Sequence, residues 1–202
     1  MIRLMKCKMV FFFVLLTHLS AFAQGQETLI KEVRSVGIFG GPMIEIGQIN
    51  GEWGADLGGG GALMLNQFFF GGYGLGTDYP QVELDGTSYN LRFRHGGFWL
   101  GYTSDPARLV HFYGSTRLGR GKAEIRGSGP AAASDRIYVV TPELGLEVNL
   151  TEWFRLALSG GYRWTTGVSR LDGFDDATFS SPIGTLTLRF GGFVSDDMDW
   201  DW

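Results

Sequence analysis

The chain has 202 residues, 32 of them glycine and only 6 of them proline, and a formal net charge of −4. This length suits a single domain, and the acidic balance argues against a nucleic-acid partner, which would require a basic face. Aromatic residues make up 14% of the chain, and together with the many glycines they favour short strands and tight turns over helices. Beyond the N-terminal region no apolar run is long enough to predict a membrane-spanning helix.

The first 23 residues have the three parts of a secretory signal peptide. A basic stretch up to Lys8 precedes the apolar run 9–16, and residues 21–23 form a small-x-small cleavage motif. We expect export with cleavage after Ala23, which also removes the single cysteine. An uncleaved membrane anchor is the alternative, but such a helix needs about 20 apolar residues, and polar residues interrupt this run from Thr17 onward.

After the signal peptide the dominant pattern is an alternation of apolar and polar residues, which predicts strands with two unlike faces. In the seventh such segment, for example, Leu156 lies on one face and Arg155 on the other. Eight segments can be placed, at roughly 35–48, 53–66, 68–77, 88–103, 109–125, 136–149, 153–166 and 182–193. Interruptions of the alternation at the glycines of 96–97 and 119–121 predict β-bulges.

The connections between these segments alternate in length. Three of them are short, at 66–67, 104–107 and 150–152. Between these lie three longer connections that are polar or rich in glycine, at 78–87, 127–135 and 167–181. Outer-membrane barrels are built in this way, with short turns in the periplasm and longer loops outside. The sequence therefore predicts an all-β fold, a single antiparallel up-and-down transmembrane β-barrel of about eight strands.

The polar face of the predicted strands carries charges of both signs, at Glu45, Asp56, Arg92, Arg94, Arg117, Glu143, Glu147, Arg155, Arg163 and Arg189. In a membrane barrel these side chains would line the lumen and form a charge network. If Thr151 is the centre of a turn, Glu147 lies opposite Arg155, which predicts a salt bridge. A soluble barrel with an apolar interior for a ligand is the alternative, but glycine runs such as 58–61 leave little bulk to fill such an interior.

Aromatic residues near the strand ends support the membrane assignment, because two aromatic girdles mark the two interfaces of such a barrel. We assign to the girdles Trp53, Tyr89, Trp153, Phe154, Trp164, Phe190 and Phe193. The chain then divides into a signal peptide (1–23), a short periplasmic segment (24–34), the barrel (35–194) and an acidic tail (195–202). Alternatively, Trp202 is the terminal aromatic residue of the last strand.

On these features the chain resembles the small outer-membrane barrels of the OmpA-transmembrane-domain and OmpX type. The resemblance rests on the signal peptide, the eight amphipathic segments and the alternating connections, and segments 37–43 and 68–76 are similar to uncharacterised members of the group. It implies a monomer in the outer membrane of a Gram-negative bacterium. Its partners would be outer-membrane lipid, lipopolysaccharide and the outer-membrane insertion machinery.

No catalytic, cofactor or metal pattern stands out in the sequence. His111 and Ser115 lie on one predicted strand, but both fall on its polar face, away from the outer surface where a lipid-modifying enzyme would act. We therefore expect no enzyme activity, no cofactor and no metal. The leading hypothesis is a structural or surface-interaction role, in which a barrel filled by side chains displays its loops to an unknown extracellular ligand. A narrow pore for small solutes and a soluble ligand-binding barrel are the alternatives.

Overall fold

The computed structural model describes residues 33–84, 87–126, 133–171 and 173–193, with the backbone alone at 78–84, 87–89 and 126. The expected signal peptide, its cleavage site after Ala23 and the expected tail at 195–202 lie outside the described residues, so they remain predictions. Within the described ranges no helix is long and apolar enough to cross a membrane.

Eight antiparallel strands close into one barrel. In chain order they are β1 (Val36–Ile49), β2 (Glu52–Leu65), β3 (Phe68–Leu84), β4 (Thr87–Thr103), β5 (Val110–Arg126), β6 (Ser134–Asn149), β7 (Phe154–Thr166) and β8 (Ser181–Phe193). Each strand pairs with the next along the chain, and β8 pairs with β1. Every strand thus has a partner on both sides, which satisfies the backbone polar groups without water. The predicted fold class is confirmed.

The hairpin between β3 and β4 differs most from the sequence-based expectation. Because β3 continues to Leu84 and β4 begins at Thr87, the loop predicted at 78–87 is largely strand. The pairing of the two strands shifts its register between Tyr79 and Val82. Such an irregularity is typical of a β-bulge, which lets a long hairpin bend.

The two predicted bulges are wrong. The ladders that join β3, β4 and β5 run through the glycines of 96–97 and 119–121 without any shift of register. A glycine removes one side chain from the alternating pattern and leaves the hydrogen-bonded ladder intact. The interruptions of the apolar–polar alternation therefore indicate positions without a side chain, and not the extra residue of a β-bulge.

The two ends of the barrel differ in their connections. The turn end carries the connections 66–67, 104–109 and 150–153 together with the start of β1 and the end of β8. The opposite end, called the loop end, carries the hairpin Asn50-Gly51 and the segment 167–180. Asn50 and Gly51 have positive φ angles of 53° and 79°, the combination that a type I′ turn requires and that matches the twist of paired strands.

Large apolar side chains cover the outer surface of the barrel. Phe98 and Phe112 are each 71% exposed, and Leu144 is 77% exposed. Soluble monomers rarely expose a continuous apolar band, whereas the lipid-facing surface of a transmembrane barrel consists of one. The outer surface therefore argues against a soluble barrel.

The lumen is packed with side chains, and its lining is apolar on one side and polar on the other. Towards the turn end, β1–β4 contribute an apolar cluster that includes Phe39, Met43, Met64, Phe69 and Trp99. The facing strands β5–β8 contribute buried polar and charged side chains: His111, Ser115, Arg117, Glu143, Glu147, Arg155, Ser159 and Arg189. At the loop end a second apolar cluster fills the lumen. An eight-stranded interior is just wide enough to be filled in this way.

Candidate functional site in the lumen and at the loop end

Five of the predicted lumen charges form one buried network near the middle of the barrel. Arg163 Nη1 lies 2.8 Å from Glu45 Oε1 and 2.8 Å from Asp56 Oδ2. Arg117 forms an ion pair with Glu45 and lies, through its Nε, 3.0 Å from Glu143 Oε2. Because the register sets Glu45 opposite Asp56, their two like charges need Arg163 between them. We call these five residues the central network.

A second group of charges lies closer to the turn end. Arg155 Nη1 is 3.0 Å from Glu147 Oε1, which forms the salt bridge predicted from the sequence. Arg189 also forms an ion pair with Glu147, and His111 Nε2 lies 3.1 Å from the same carboxylate. Three side chains from three strands therefore converge on one buried acidic group.

The register that predicted this salt bridge is nevertheless wrong. Asn149, not Glu147, lies opposite Arg155, so the salt bridge runs diagonally between β6 and β7. The backbone N–H groups of Leu150 and Thr151 both donate to the carbonyl oxygen of Phe154, at 3.0 Å each. This wider turn moves its centre one position along the chain, and the side chains stay on the same face because residues two apart share it.

Arg189 is surrounded by aromatic rings. The carbon at the centre of its guanidinium lies 4.9 Å from the ring centroid of Phe39 and 5.0 Å from that of Phe69. The corresponding distances to Trp99 and Tyr113 are 5.1 Å and 4.5 Å. Each distance is within the range of a cation–π interaction, which strengthens when the cation is desolvated. We call these four rings and Arg189 the arginine cage.

Replacing Arg189 by methionine is expected to lower the free energy of unfolding by about 2–3 kcal/mol, since it removes a buried ion pair and the cation–π contacts. The loss is moderated because Glu147 keeps Arg155 and His111. The measurement is urea unfolding in lipid vesicles, followed by tryptophan fluorescence. Arg108→Met, an exposed change in the connection 104–109, is the control, and equal midpoints for the two variants would contradict the role of the cage.

Arg92 and Arg94 do not line the lumen, contrary to the prediction. Around these residues the buried, inward positions of β4 are Leu91, Phe93 and His95, and both arginines lie on the outer face. The physical reason is that Phe93 stacks inside the barrel on Phe179, with ring centroids 5.6 Å apart. The loop end of the lumen is thus apolar, and the arginines occupy the outside.

The described residues of segment 167–180 fold back over the loop end of the lumen, and we call this segment the cap. Its residues Leu171, Phe174 and Phe179 belong to the same buried cluster as Phe93. The carbonyl oxygen of Phe179 accepts a hydrogen bond from Arg163 Nε at 3.1 Å. The cap is therefore joined directly to the central network.

Hydrogen bonds from its own backbone fix the cap further. Asp135 Oδ2 accepts from the N–H groups of Ser169 and Arg170, at 2.7 Å each, and of Leu171 at 3.2 Å. Within the cap, hydrogen bonds from Thr178 to the Asp175 carboxylate lower the pKa of that carboxyl. Because the folded pKa is depressed, this contact is present at neutral pH and is lost as the pH falls through it.

Three potential metal ligands meet in the lumen. The ligand atoms of Glu45, Asp56 and His95 all lie within 4.8 Å of one another. Arg163 already donates to both carboxylates, so a cation would have to displace a guanidinium from this position. His95 Nδ1 and the Tyr73 hydroxyl form a hydrogen bond of 3.0 Å. This geometry suits a structural contact better than a metal site.

This barrel is similar in fold to solved structures of several bacterial proteins. Neisserial surface protein A superposes with a TM-score of 0.52 at 11% identity, covering 79% of this chain and 97% of that one. Ail, the attachment invasion locus protein of Yersinia pestis, gives a TM-score of 0.47 at 19% identity, with coverages of 78% and 96%. OprG from Pseudomonas aeruginosa gives 0.43 at 14%, with coverages of 79% and 95%. No protein-family model and no curated protein matches the sequence.

The chain has the fold of a small outer-membrane β-barrel. In barrels of this fold aromatic side chains gather at the two membrane interfaces. Near the loop end, Trp53 and Trp164 are exposed on the outer surface. Near the turn end, Trp153 and Phe154 stack on Phe190 with centroid distances of 6.1 Å and 4.7 Å. These five predicted girdle residues thus lie on the outer surface of the outer-membrane barrel, at its two ends.

The other two predicted girdle residues are Phe193 and Tyr89. Phe193 turns inward and packs against the apolar lumen cluster, with the Arg155 guanidinium 3.6 Å from its ring centroid. It extends the inward-facing positions of β8, which include Arg189, and so belongs to the lumen. Tyr89 lies at the start of β4, and at residues 87–89 only the backbone is described.

The cap and the arginine cage were not predicted from the sequence of this outer-membrane barrel. A signal for the cap existed, since Leu171, Phe174 and Phe179 are large apolar residues within a loop that is mostly polar. The cage had no such signal, because its rings come from strands that are distant in sequence. Only the closed barrel brings Phe39 and Tyr113 to the same side chain.

Proposed function

We propose that this protein is an integral outer-membrane barrel with a structural or surface-interaction role, and that it neither conducts solutes nor catalyses a reaction. The observation that carries the proposal is the filled lumen. The cap, the central network and the arginine cage obstruct it at three successive levels. With the interior closed, the lipid-facing surface and the loop end are the parts available to partners.

The proposed orientation sets the loop end outside the cell and the turn end in the periplasm, as in other barrels of this fold. The protein would act as a monomer, inserted by the outer-membrane insertion machinery, and would use no cofactor. An extracellular ligand would bind at the loop end, which includes the cap and the strand ends at Leu84, Thr87 and Ser134. The polar lumen is then a means of holding the barrel rigid.

Planar-bilayer recordings test the closed lumen. We expect the wild-type protein to give no stable conductance steps. A variant in which residues 169–178 are replaced by a flexible linker should also give none, because the central network and the cage still obstruct the lumen. A large porin in the same bilayer serves as the positive control. Stable nanosiemens steps from the wild-type protein would establish the narrow pore instead.

The surface-interaction role requires a second experiment in cells. Replacing segment 127–132 by a glycine-serine linker of equal length is expected to reduce adhesion or to alter the response to envelope stress. The matched control replaces turn-end residues 104–109 in the same way and should resemble the wild type. If both variants behave alike in every assay, the surface-interaction role fails and a structural role remains.

A further inference from the structure

Four cations lie on the outer surface near the loop end: Arg94 of β4, Arg120 and Lys122 of β5, and Arg136 of β6. All four side chains are exposed and belong to the outward face of their strands. Glu124, which is half-buried, shares this face of β5. We call the four exposed cations the cationic cluster.

The register brings three of these cations to one level of the barrel. Arg94 lies opposite Lys122 on the β4–β5 ladder, and Lys122 lies opposite Arg136 on the β5–β6 ladder. Adjacent strands are about 5 Å apart, and like charges directly opposite one another destabilise a sheet. The repulsion is stronger beside lipid than in water, because the dielectric constant is lower. An anion bound over this row would interact favourably with each of its cations.

An apolar groove adjoins the cluster on the lipid-facing surface. It has a volume of about 990 Å³, and its lining includes Gly72, Gly96, Phe98, Leu118 and Arg120. The two glycines leave its floor without side chains, whereas Phe98 and Leu118 form its walls. It is thus an apolar depression with a cation at its rim.

A second groove of about 600 Å³ adjoins the first, and its lining includes Arg94, Arg120, Lys122 and the acidic Glu124. Arg120 borders both grooves. The surface therefore offers an apolar channel next to a cationic one, which is the arrangement that an amphiphile with an anionic head would fit.

We propose that this surface binds a phosphorylated glycolipid of the outer leaflet, with a phosphate over the cationic cluster and an acyl chain in the apolar groove. The inference rests on the proposed function, because it requires the loop end to face outside, where lipopolysaccharide supplies the lipid. Arginine forks bind phosphate oxygens in pairs, and clusters of basic residues at a membrane surface recognise anionic headgroups.

The phosphate contact is tested with the full chain in phosphatidylcholine nanodiscs that contain a small share of bisphosphorylated lipid A. After extraction in mild detergent, retained lipid A is measured by mass spectrometry. The triple variant Arg94→Gln, Arg120→Gln, Lys122→Gln is expected to retain at least about tenfold less than the wild type. The wild type should also retain dephosphorylated lipid A poorly. Its retention of that lipid should be no higher than the retention of intact lipid A by the triple variant.

A control variant removes the same charge elsewhere, by Arg34→Gln, Arg108→Gln and Arg170→Gln, and should retain lipid A like the wild type. Equal retention by the triple variant and the wild type would overturn the proposal. So would equal retention of phosphatidylglycerol and lipid A by the wild type, since a phospholipid would then be the occupant.

The acyl-chain contact is tested by filling the groove. A Cβ at Gly72 would meet only the Gly97 carbonyl oxygen, at 3.5 Å, and one at Gly192 would meet nothing within 4 Å. Gly72→Leu should therefore fold and lower lipid A retention several-fold, whereas Gly192→Leu, an exposed change at the turn end, should not. Unchanged retention by Gly72→Leu would overturn the place of the acyl chain.

Gel mobility with and without boiling is measured for every sample, so that two kinds of failure are distinguishable. A wild-type protein whose mobility does not shift is not a closed membrane barrel, and the proposed function then fails. A wild-type protein that shifts, but whose lipid A retention does not respond to the triple variant, contradicts this inference alone.

Discussion

Replacing Arg117 by methionine is expected to lower the free energy of unfolding by about 3–5 kcal/mol, the cost of breaking a buried ion pair on one side. Arg117 is fully buried and forms ion pairs with Glu45 and Glu143. Glu45 retains Arg163, but among the described residues Glu143 retains only the hydroxyls of Ser159 and Thr185. An uncompensated buried carboxylate is the source of the loss. Urea unfolding in lipid vesicles measures it.

Two further variants show whether charge or packing causes the loss. In the double variant Arg117→Met, Glu143→Gln the second carboxylate is neutral, so most of the stability should return. Arg108→Met removes an arginine from an exposed pair with Asp105 at 3.7 Å and should change the unfolding free energy by less than about 0.5 kcal/mol. An Arg117→Met protein that unfolds at the wild-type urea concentration would show that the central network does not stabilise the barrel.

Replacing Phe179 by alanine is expected to release the cap while the barrel stays folded. Phe179 is fully buried, stacks on Phe93 and lies 6.1 Å from Phe174 by ring centroids. Removing a buried phenylalanine costs about 3–5 kcal/mol, and here the cost falls on a segment that can open without unfolding the strands. Limited proteolysis with trypsin should then cut after Arg170, which is exposed, far faster than in the wild type.

The control for this experiment is Phe98→Ala. Phe98 is 71% exposed on the lipid-facing surface and has no part in the cap, so cleavage after Arg170 should keep its wild-type rate. The shift of gel mobility on boiling should persist in both variants. If Phe179→Ala leaves the cleavage rate unchanged, the cap does not depend on its aromatic contacts.

The strands could be predicted because a membrane barrel needs two unlike faces, and the alternation is unbroken where both faces carry side chains. Glu45 and Arg163 were assigned to the lumen on this basis, and both lie there. The alternation also predicted the salt bridge between Glu147 and Arg155, since a one-position error in the turn centre left both on the same face.

The face of Arg92 and Arg94 could not be predicted in the same way. Two glycines separate these residues from the rest of β4. The apolar–polar alternation is interrupted there, so it does not show which face the residues before the glycines occupy. Leu91 and Phe93 are apolar but face inward, because the cap supplies an apolar partner inside the barrel. A residue pattern shows which side chains alternate; it does not show what a distant loop will cover.

Contacts across the lumen were beyond prediction for a related reason. Register within a hairpin relates neighbouring strands only, whereas Arg117 reaches from β5 to Glu45 on β1. Such contacts depend on the diameter and tilt of the closed barrel. The composition of the central network could therefore be predicted, and its pairing could not.

The arginine cage has a consequence for how the chain becomes a barrel. Arg189 lies on β8, and it contacts rings that belong to β1, β3, β4 and β5 and a carboxylate on β6. None of these contacts can form until the final strand is in place, so their free energy is gained together at a single late step. A partly assembled sheet lacking β8 would expose an aromatic surface, and Glu147 would keep only Arg155 and His111 of its three basic partners. Closure of the seam should thus behave as a cooperative event, with few stable forms between an open sheet and the finished barrel.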